Sequence, residues 1–155
     1  PGATDEEDAL LDHDGEEDGW GTVGAVALDV HGCVAAATST GGMTGKPVGR
    51  VGDTPIIGAG TWADPSIAVS CTGVGEAFIR TVAAHSVAVH HRNVGLEEAA
   101  HMVLKEVEPL GGRGGLIAVN VDGQVVMPFQ TMLMYRGLYV DGDCKVGIGP
   151  DFVQS

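Results

Sequence analysis

The sequence predicts an α+β fold built on a largely antiparallel sheet. Three observations carry that expectation. The apolar segments run in the order strand, strand, glycine-rich loop, strand, helix, helix, strand, strand. Short turns join neighbouring strands, as hairpins require. The chain has 155 residues, of which 44% are hydrophobic and 5% aromatic, with 25 glycines. That length suits one domain, and its core must be made of Ala, Val, Ile and Leu threaded by many turns.

The elements follow in order. Thr22 to Asp29 reads TVGAVALD and is apolar at both parities, so a strand covered on both faces is expected. Val30-His31-Gly32 turns the chain, and Cys33 to Ser39 returns it. A three-residue loop with Gly32 left-handed pairs Asp29 with Cys33 and sets Thr22 opposite Thr40. A two-residue loop would set Thr22 opposite Gly41. Thr40 to Thr54 is a glycine-rich loop, and Ile67 to Cys71 is the third strand. One helix is expected over Glu76–Arg92, with Phe78, Ile79, Val82, Ala83 and Val89 as its apolar stripe. A second runs from Leu96 to Val107 and is stopped by Pro109. Leu116 to Val121 is a strand, Asp122-Gly123 a tight turn, and Gln124 to Phe129 the return. Met132 to Tyr139 could extend the sheet.

Charge divides the chain. The net charge is −13, and residues 1–21 hold nine acids with no Lys or Arg. This block repels itself and reads as a flexible acidic linker, leaving 22–155 as the domain. Capture of a basic partner by the linker is a less common use of such a block. No basic stripe suggests nucleic acid, and no apolar run of 18 residues suggests a membrane span. No apolar signal segment is visible near the N-terminus. Cys33, Cys71 and Cys144 form no C-x-x-C motif, which favours a reducing, cytoplasmic setting, with Cys71 a buried small hydrophobe.

Several residues could carry chemistry. Gly21-Thr22 stands where the linker meets the first strand. Cleavage of that bond would free an N-terminal threonine, whose Oγ1 is a nucleophile and whose own amine is a base. The commoner meaning of such a junction is a loop-to-strand boundary with a β-favouring Thr. In the glycine-rich loop, Arg50 can fork onto a carboxylate and Asp53 can hold an ammonium, so the two could read both ends of an amino acid. A loop ion pair between them is the plainer alternative. Thr72 and Gly73 lie where a strand turns into a helix, and N–H groups there could hold an oxyanion. Pro47 breaks the P-loop pattern around Lys46. Gly58-Ala59-Gly60 to Ala63 imitates a dinucleotide motif without a preceding strand or a following helix, and is rejected. His85, His90, His91 and His101 lack ligand spacing, so no metal site is assigned.

Four runs share a likeness: TVGAVALD, ATSTGGMTGKPVGRVGDTPIIGAGTWAD, AVSCTGVGEAFIR and LGGRGGLIAV. Together they resemble the β-subunit of plant-type L-asparaginase/isoaspartyl peptidase, among the N-terminal nucleophile hydrolases. The likeness spans roughly Gly21 to Gly149. It implies an αββα sandwich matured by autoproteolysis at Gly21–Thr22. It also implies hydrolysis of the asparagine side-chain amide and of β-aspartyl dipeptides. By matching motifs, Thr22 is the nucleophile, supported by Thr40. Arg50 takes the substrate α-carboxylate and Asp53 its α-ammonium, while Thr72 and Gly73 line the oxyanion hole. No cofactor is implied for this chain, because the family's sodium-binding loop lies in the α-subunit. That subunit is the implied partner, in an (αβ)2 assembly. Residues 1–21 resemble only the tail of the α-subunit, so exposed apolar surface is expected where the rest would lie, and the activity is latent until cleavage. A fragment, a separate partner chain, a non-catalytic truncated homologue and a glycosylasparaginase-like enzyme remain open alternatives.

Overall fold

The computed structural model describes residues 21–154. The acidic linker expected over 1–21 therefore lies outside the described residues, apart from Gly21. The first two strands, β1 (Thr22–Leu28) and β2 (Val34–Thr40), form an antiparallel hairpin. Its loop has three residues: the Asp29 N–H donates to the Cys33 carbonyl at 2.9 Å, and Gly32 has φ 79°. Asp29 Oδ1 steadies the turn by accepting the N–H groups of His31 and Cys33, each at 2.8 Å. The register then runs to Thr22 opposite Thr40.

A second sheet has the order β3–β4–β5–β6, made of β3 (Thr61–Asp64), β4 (Ile67–Gly73), β5 (Gly114–Asn120) and β6 (Val125–Val126), antiparallel throughout. The strand β3 has no counterpart in the sequence reading. It is four residues long, and the Pro65-Ser66 turn that follows is held by Asp64. Asp64 Oδ1 accepts the Ser66 N–H at 2.7 Å, the Ser66 hydroxyl at 2.6 Å and the Ile67 N–H at 3.2 Å. The turn after β5 has three residues rather than two. Asn120 pairs with Gln124, and Gly123 takes φ 80°.

The helix expected over Glu76–Arg92 is two helices, α1 (Gly75–Thr81) and α2 (Ala83–Val94). Between them Val82 is left-handed, at φ 49° and ψ 48°, a costly conformation for a β-branched residue. Hydrogen bonds offset that cost. The free N–H groups that open α2 find acceptors in the preceding loop: Ala84 donates to the Ala59 carbonyl at 3.1 Å and His85 to that of Gly58 at 2.9 Å. The Ser86 hydroxyl covers the Thr81 carbonyl at 2.8 Å. The rejected glycine motif thus caps a helix. α3 (Leu96–Val107) matches its expected bounds, with Glu97 and Glu98 in its first turn, Lys105 in its last, and a short 3-10 turn through Pro109 after it.

Helices α1, α2 and α3 cover one face of the second sheet. Ile67, Val69 and Cys71 of β4, with Leu116 and Ala118 of β5, pack against Phe78, Val87, Leu96, Val103, Leu104 and Val107. The hairpin lies on the other face, so the layers run helices, sheet, hairpin. This is the α+β class that the element order predicts. One expectation fails for β1: only its inner face is covered. Val23, Ala25 and Ala27, with Ala35, Ala37 and Ser39 across the pair, are exposed. All three described helices serve the other sheet, so the second cover that the pattern asks for is not among the described residues.

Residues after Met132 do not extend the main sheet. β7 (Arg136–Val140), β8 (Asp143–Gly147) and β9 (Val153–Gln154) form a sheet of their own. Residues 128–130 already occupy the available edge of β5, through Leu116 N–H to the Pro128 carbonyl and Gln130 N–H to that of Gly114. Arg136 pins the third sheet in place. Its guanidinium lies 4.8 Å from the Phe129 ring centre and 4.6 Å from that of Phe152, and it donates to the Gly149 carbonyl.

Candidate active site

Two hairpin ends bring the first hydroxyls together. Thr22 opens β1 and Thr40 closes β2, directly opposite each other. The Thr22 hydroxyl donates to Thr40 Oγ1 at 3.3 Å, and Thr40 Oγ1 also accepts the Gly42 N–H at 3.0 Å. Thr40 is thereby oriented by the glycine-rich loop that follows it. Thr22 lines an open cleft of about 500 Å³, solvent included, together with Gly24, Ser70, Thr72, Met134 and Tyr135. The cleft lies between the hairpin and the second sheet. Thr72 reaches it because β4 alternates: Ile67, Val69 and Cys71 face the helices, while Ala68, Ser70 and Thr72 face the hairpin.

Gly73 ends β4 beside the cleft but is not part of its lining. Its φ of 144° favours glycine, and a Cβ there would stand 2.3 Å from the Arg113 carbonyl oxygen and 2.8 Å from the Phe78 ring. The position is fixed by close packing of β4 on β5.

Arg50 and Asp53 form a second cluster near the start of α1. The Arg50 guanidinium forks onto Glu76, Nε to Oε1 at 2.8 Å and Nη2 to Oε2 at 3.0 Å. Its bidentate partner is therefore Glu76 rather than Asp53. Those bonds hold the Glu76 carboxyl below its ordinary range. Asp53 is 5% exposed, and its Oδ2 has no hydrogen-bond partner. Burial pushes its carboxyl above the usual value, against the lowering pull of its own backbone N–H, Arg50 and the Thr54 N–H. A buried, under-satisfied carboxylate is a group that a cation would stabilise. Gly75 makes the cluster possible, since a Cβ there would stand 2.9 Å from Asp53 Oδ1 and 3.1 Å from Arg50 Nη2.

The structure thus brings Thr22 and Thr72 to one cleft, with Thr40 in contact with Thr22, and places Arg50 with Asp53 in the glycine-rich loop. The sequence reading assigns no site role to Glu76, Thr38, Ser70 or Gly60, although all four belong to these networks. Gly24 and Thr38 carried a readable signal, because each lies two residues from a candidate threonine and so shares its face. Nothing local marks Glu76 as the partner of a residue 26 positions away. Three of the four helix histidines take separate partners: His85 stands edge-on to Trp62, His90 pairs with Glu106, and His101 with Glu97.

Comparison with known proteins now bears on these residues. Residues 3–148 match the family model described as Asparaginase. The isoaspartyl peptidase of Escherichia coli K12 is 53% identical over 142 residues, covering 86% of this chain and 44% of that protein. The isoaspartyl peptidase of Salmonella typhimurium is 52% identical over 141 residues, covering 86% of this chain and 45% of that protein. The human isoaspartyl peptidase/L-asparaginase is 46% identical over 134 residues, covering 84% of this chain and 44% of that protein. The chain therefore spans somewhat under half the length of these curated relatives. With the family model matching nearly the whole chain, and its threonine cleft inside the matched region, the chain belongs to the asparaginase family.

Proposed function

We propose that this chain is the nucleophile-bearing part of a self-cleaving threonine amidohydrolase. Its substrates are the side-chain amide of L-asparagine and β-aspartyl dipeptides. The observation that carries the reading is the Thr22–Thr40 hydroxyl contact, with Thr22 lining a cleft together with Thr72. The relatives named isoaspartyl peptidase support the substrate class.

The chemistry proceeds in two stages. In maturation, Thr22 Oγ1 attacks the Gly21 carbonyl carbon. The Gly21–Thr22 amide bond breaks as an ester forms, and the hydroxyl proton passes to the departing nitrogen. Water then hydrolyses the ester, leaving a Gly21 carboxylate and a free Thr22 amine. Such an amine titrates near pH ~8, so part of it is an unprotonated base at neutral pH. In turnover, that amine takes the Oγ1 proton while Oγ1 attacks the substrate's side-chain carbonyl. Thr40 steadies Oγ1, and Thr72 with Gly73 faces the developing oxyanion. Each such donor contributes about 3 kcal/mol to the transition state. Arg50 takes the substrate α-carboxylate, with Glu76 fixing the guanidinium plane. Asp53 takes the α-ammonium. Ammonia or an amino acid leaves, and water releases aspartate. An α-subunit completes the enzyme as an (αβ)2 assembly in the cytoplasm.

Mass spectrometry of the natural protein tests the first stage, with a new N-terminus at Thr22 expected. Parallel assays of ammonia from asparagine and of aspartate from a β-aspartyl dipeptide test the second. Thr22→Ala should leave the chain whole and abolish both activities. Full turnover by a chain still joined at Gly21–Thr22 would sink the proposal.

A further inference from the structure

One step along the strands from the Thr22–Thr40 pair, partly within the same cleft, lies a second set of hydroxyls that the reaction does not use. On its inner face the hairpin presents Gly24 opposite Thr38, two residues in from Thr22 opposite Thr40. β4 answers with Ser70, two residues before Thr72. Ser70 is 3% exposed, and its Oγ lies 2.7 Å from Thr38 Oγ1. Thr38 also donates to the Gly60 carbonyl at 3.2 Å. A hydroxyl has one proton to give, so Ser70 donates to Thr38 and Thr38 to Gly60. The Gly60 carbonyl accepts the Cys71 N–H as well, at 2.9 Å, while the Gly60 N–H donates to the Asp53 carbonyl at 3.1 Å. Three pieces of the site meet here: the hairpin with Thr22 and Thr40, β4 with Thr72, and the loop with Asp53. Space for the junction comes from Gly24, where a Cβ would stand 2.2 Å from Ser70 Oγ.

We propose that Thr38 and Ser70 are positioning residues. Their hydroxyl pair, anchored on the Gly60 carbonyl and seated against bare Gly24, sets how closely the Thr22–Thr40 pair approaches Thr72. The inference rests on the function proposed above. It goes beyond that reading by naming the device that sets the spacing between nucleophile and oxyanion donor. That spacing matters because a misplacement of about 1 Å can cost roughly a hundredfold in rate.

The test uses the full natural chain. Thr38→Val keeps the side chain's size and removes its hydroxyl. Ser70→Ala is milder, since Thr38 keeps its bond to Gly60, and it serves if Thr38→Val does not fold. The expected result is a fall in kcat of about tenfold or more, with KM within about twofold. Thr38→Ser should restore most of the rate. The double variant should be little worse than the worse single, because both act on one network. A crystal structure of Thr38→Val should show the Thr22 to Thr72 separation changed. Variants that lose thermal stability but keep kcat per folded molecule would overturn the proposal, as would an unchanged separation. If these variants keep wild-type kcat while Thr22→Ala is dead, the positioning role falls and the amidohydrolase reading stands. If Thr22→Ala is active, both fall.

Discussion

β1 and β4 look alike as sequence and differ as structure. TVGAVAL and IAVSCTG are both rich in small apolar residues at both parities. β4 meets two layers. Its odd residues Ile67, Val69 and Cys71 enter the helical core, and Ala68 and Ser70 are buried beneath the hairpin. β1 meets one layer: its inner face lies on β4, while Val23 on the outer face is 72% exposed. The pattern states that a strand needs two covers; it does not say which segment supplies them. The proposed site falls at the boundary between these two conditions, with Thr22, the proposed nucleophile, on the half-covered strand and Thr72, the proposed oxyanion donor, on the more fully covered one.

The strongest test of the covered side is its largest buried side chain. The Phe78 ring packs against the bare backbone of Gly73 and Gly114, where Cβ atoms would stand 2.8 and 2.9 Å from it. Phe78→Ala should cost about 3–5 kcal/mol, read by urea unfolding. A loss below about 1 kcal/mol would mean that the helical layer does not seal β4 as described.

The next effect depends on pH. Burial pushes the Asp64 carboxyl up, but hydrogen bonds from the Ser66 side chain and backbone, Trp62 and Arg92 outweigh it and bring the pKa from 3.8 to about 2. A folded-state pKa below the unfolded one means stability that is present above pH ~4 and lost as pH falls through about 2. The loss should be roughly 2 kcal/mol. Asp64→Asn should flatten that part of the stability curve, and an unchanged curve would refute the role given to the β3–β4 turn. Asp53 works in the opposite sense. Its carboxyl is raised, so its contribution is present at low pH and lost as pH rises through the folded-state value.

Where hairpin meets sheet, Gly24→Ala should cost between about 1 and 2 kcal/mol by overpacking. The double variant Gly24→Ala with Ser70→Ala should recover part of that, because the nearest atom to the new Cβ is Ser70 Oγ. An additive double variant would show that the two sites do not meet.

Much of this was legible in the residues. Gly32 after Val30-His31 allowed a three-residue or a two-residue loop, and the three-residue count gives the observed Thr22–Thr40 register rather than Thr22 opposite Gly41. The spacing of Leu96, Ala100, Val103, Leu104 and Val107, with Pro109 beyond, gave α3 its bounds. The break at Val82 was hidden because its cause is not local: the acceptors that start α2 belong to Gly58 and Ala59. β3 was hidden because its four residues carry too little periodicity to stand out. Arg50 was read as a binding residue from its loop, but its pairing with Glu76 depends on how α1 docks. Local pattern gave turns, registers and nucleophile candidates, while partners distant in sequence emerged only from packing.

The smallest predicted effect bears directly on the uncovered face. Val23 follows Thr22 but points away from the cleft, on the outer side with Ala25 and Ala27. Val23→Thr preserves shape and β-branching and exchanges a methyl for a hydroxyl. On a face open to water the hydroxyl stays hydrated, so the cost should be under about 0.5 kcal/mol. On a buried face the same change would leave a polar group unpaired, at about 1–3 kcal/mol. Thermal unfolding of the 155-residue polypeptide should therefore give nearly the same midpoint for Val23→Thr and the parent. Repeating the pair in the full natural protein sharpens the comparison. A small difference there too leaves β1 half-covered, whereas a loss above about 1 kcal/mol means a second layer lies on it and β1 becomes as enclosed as β4.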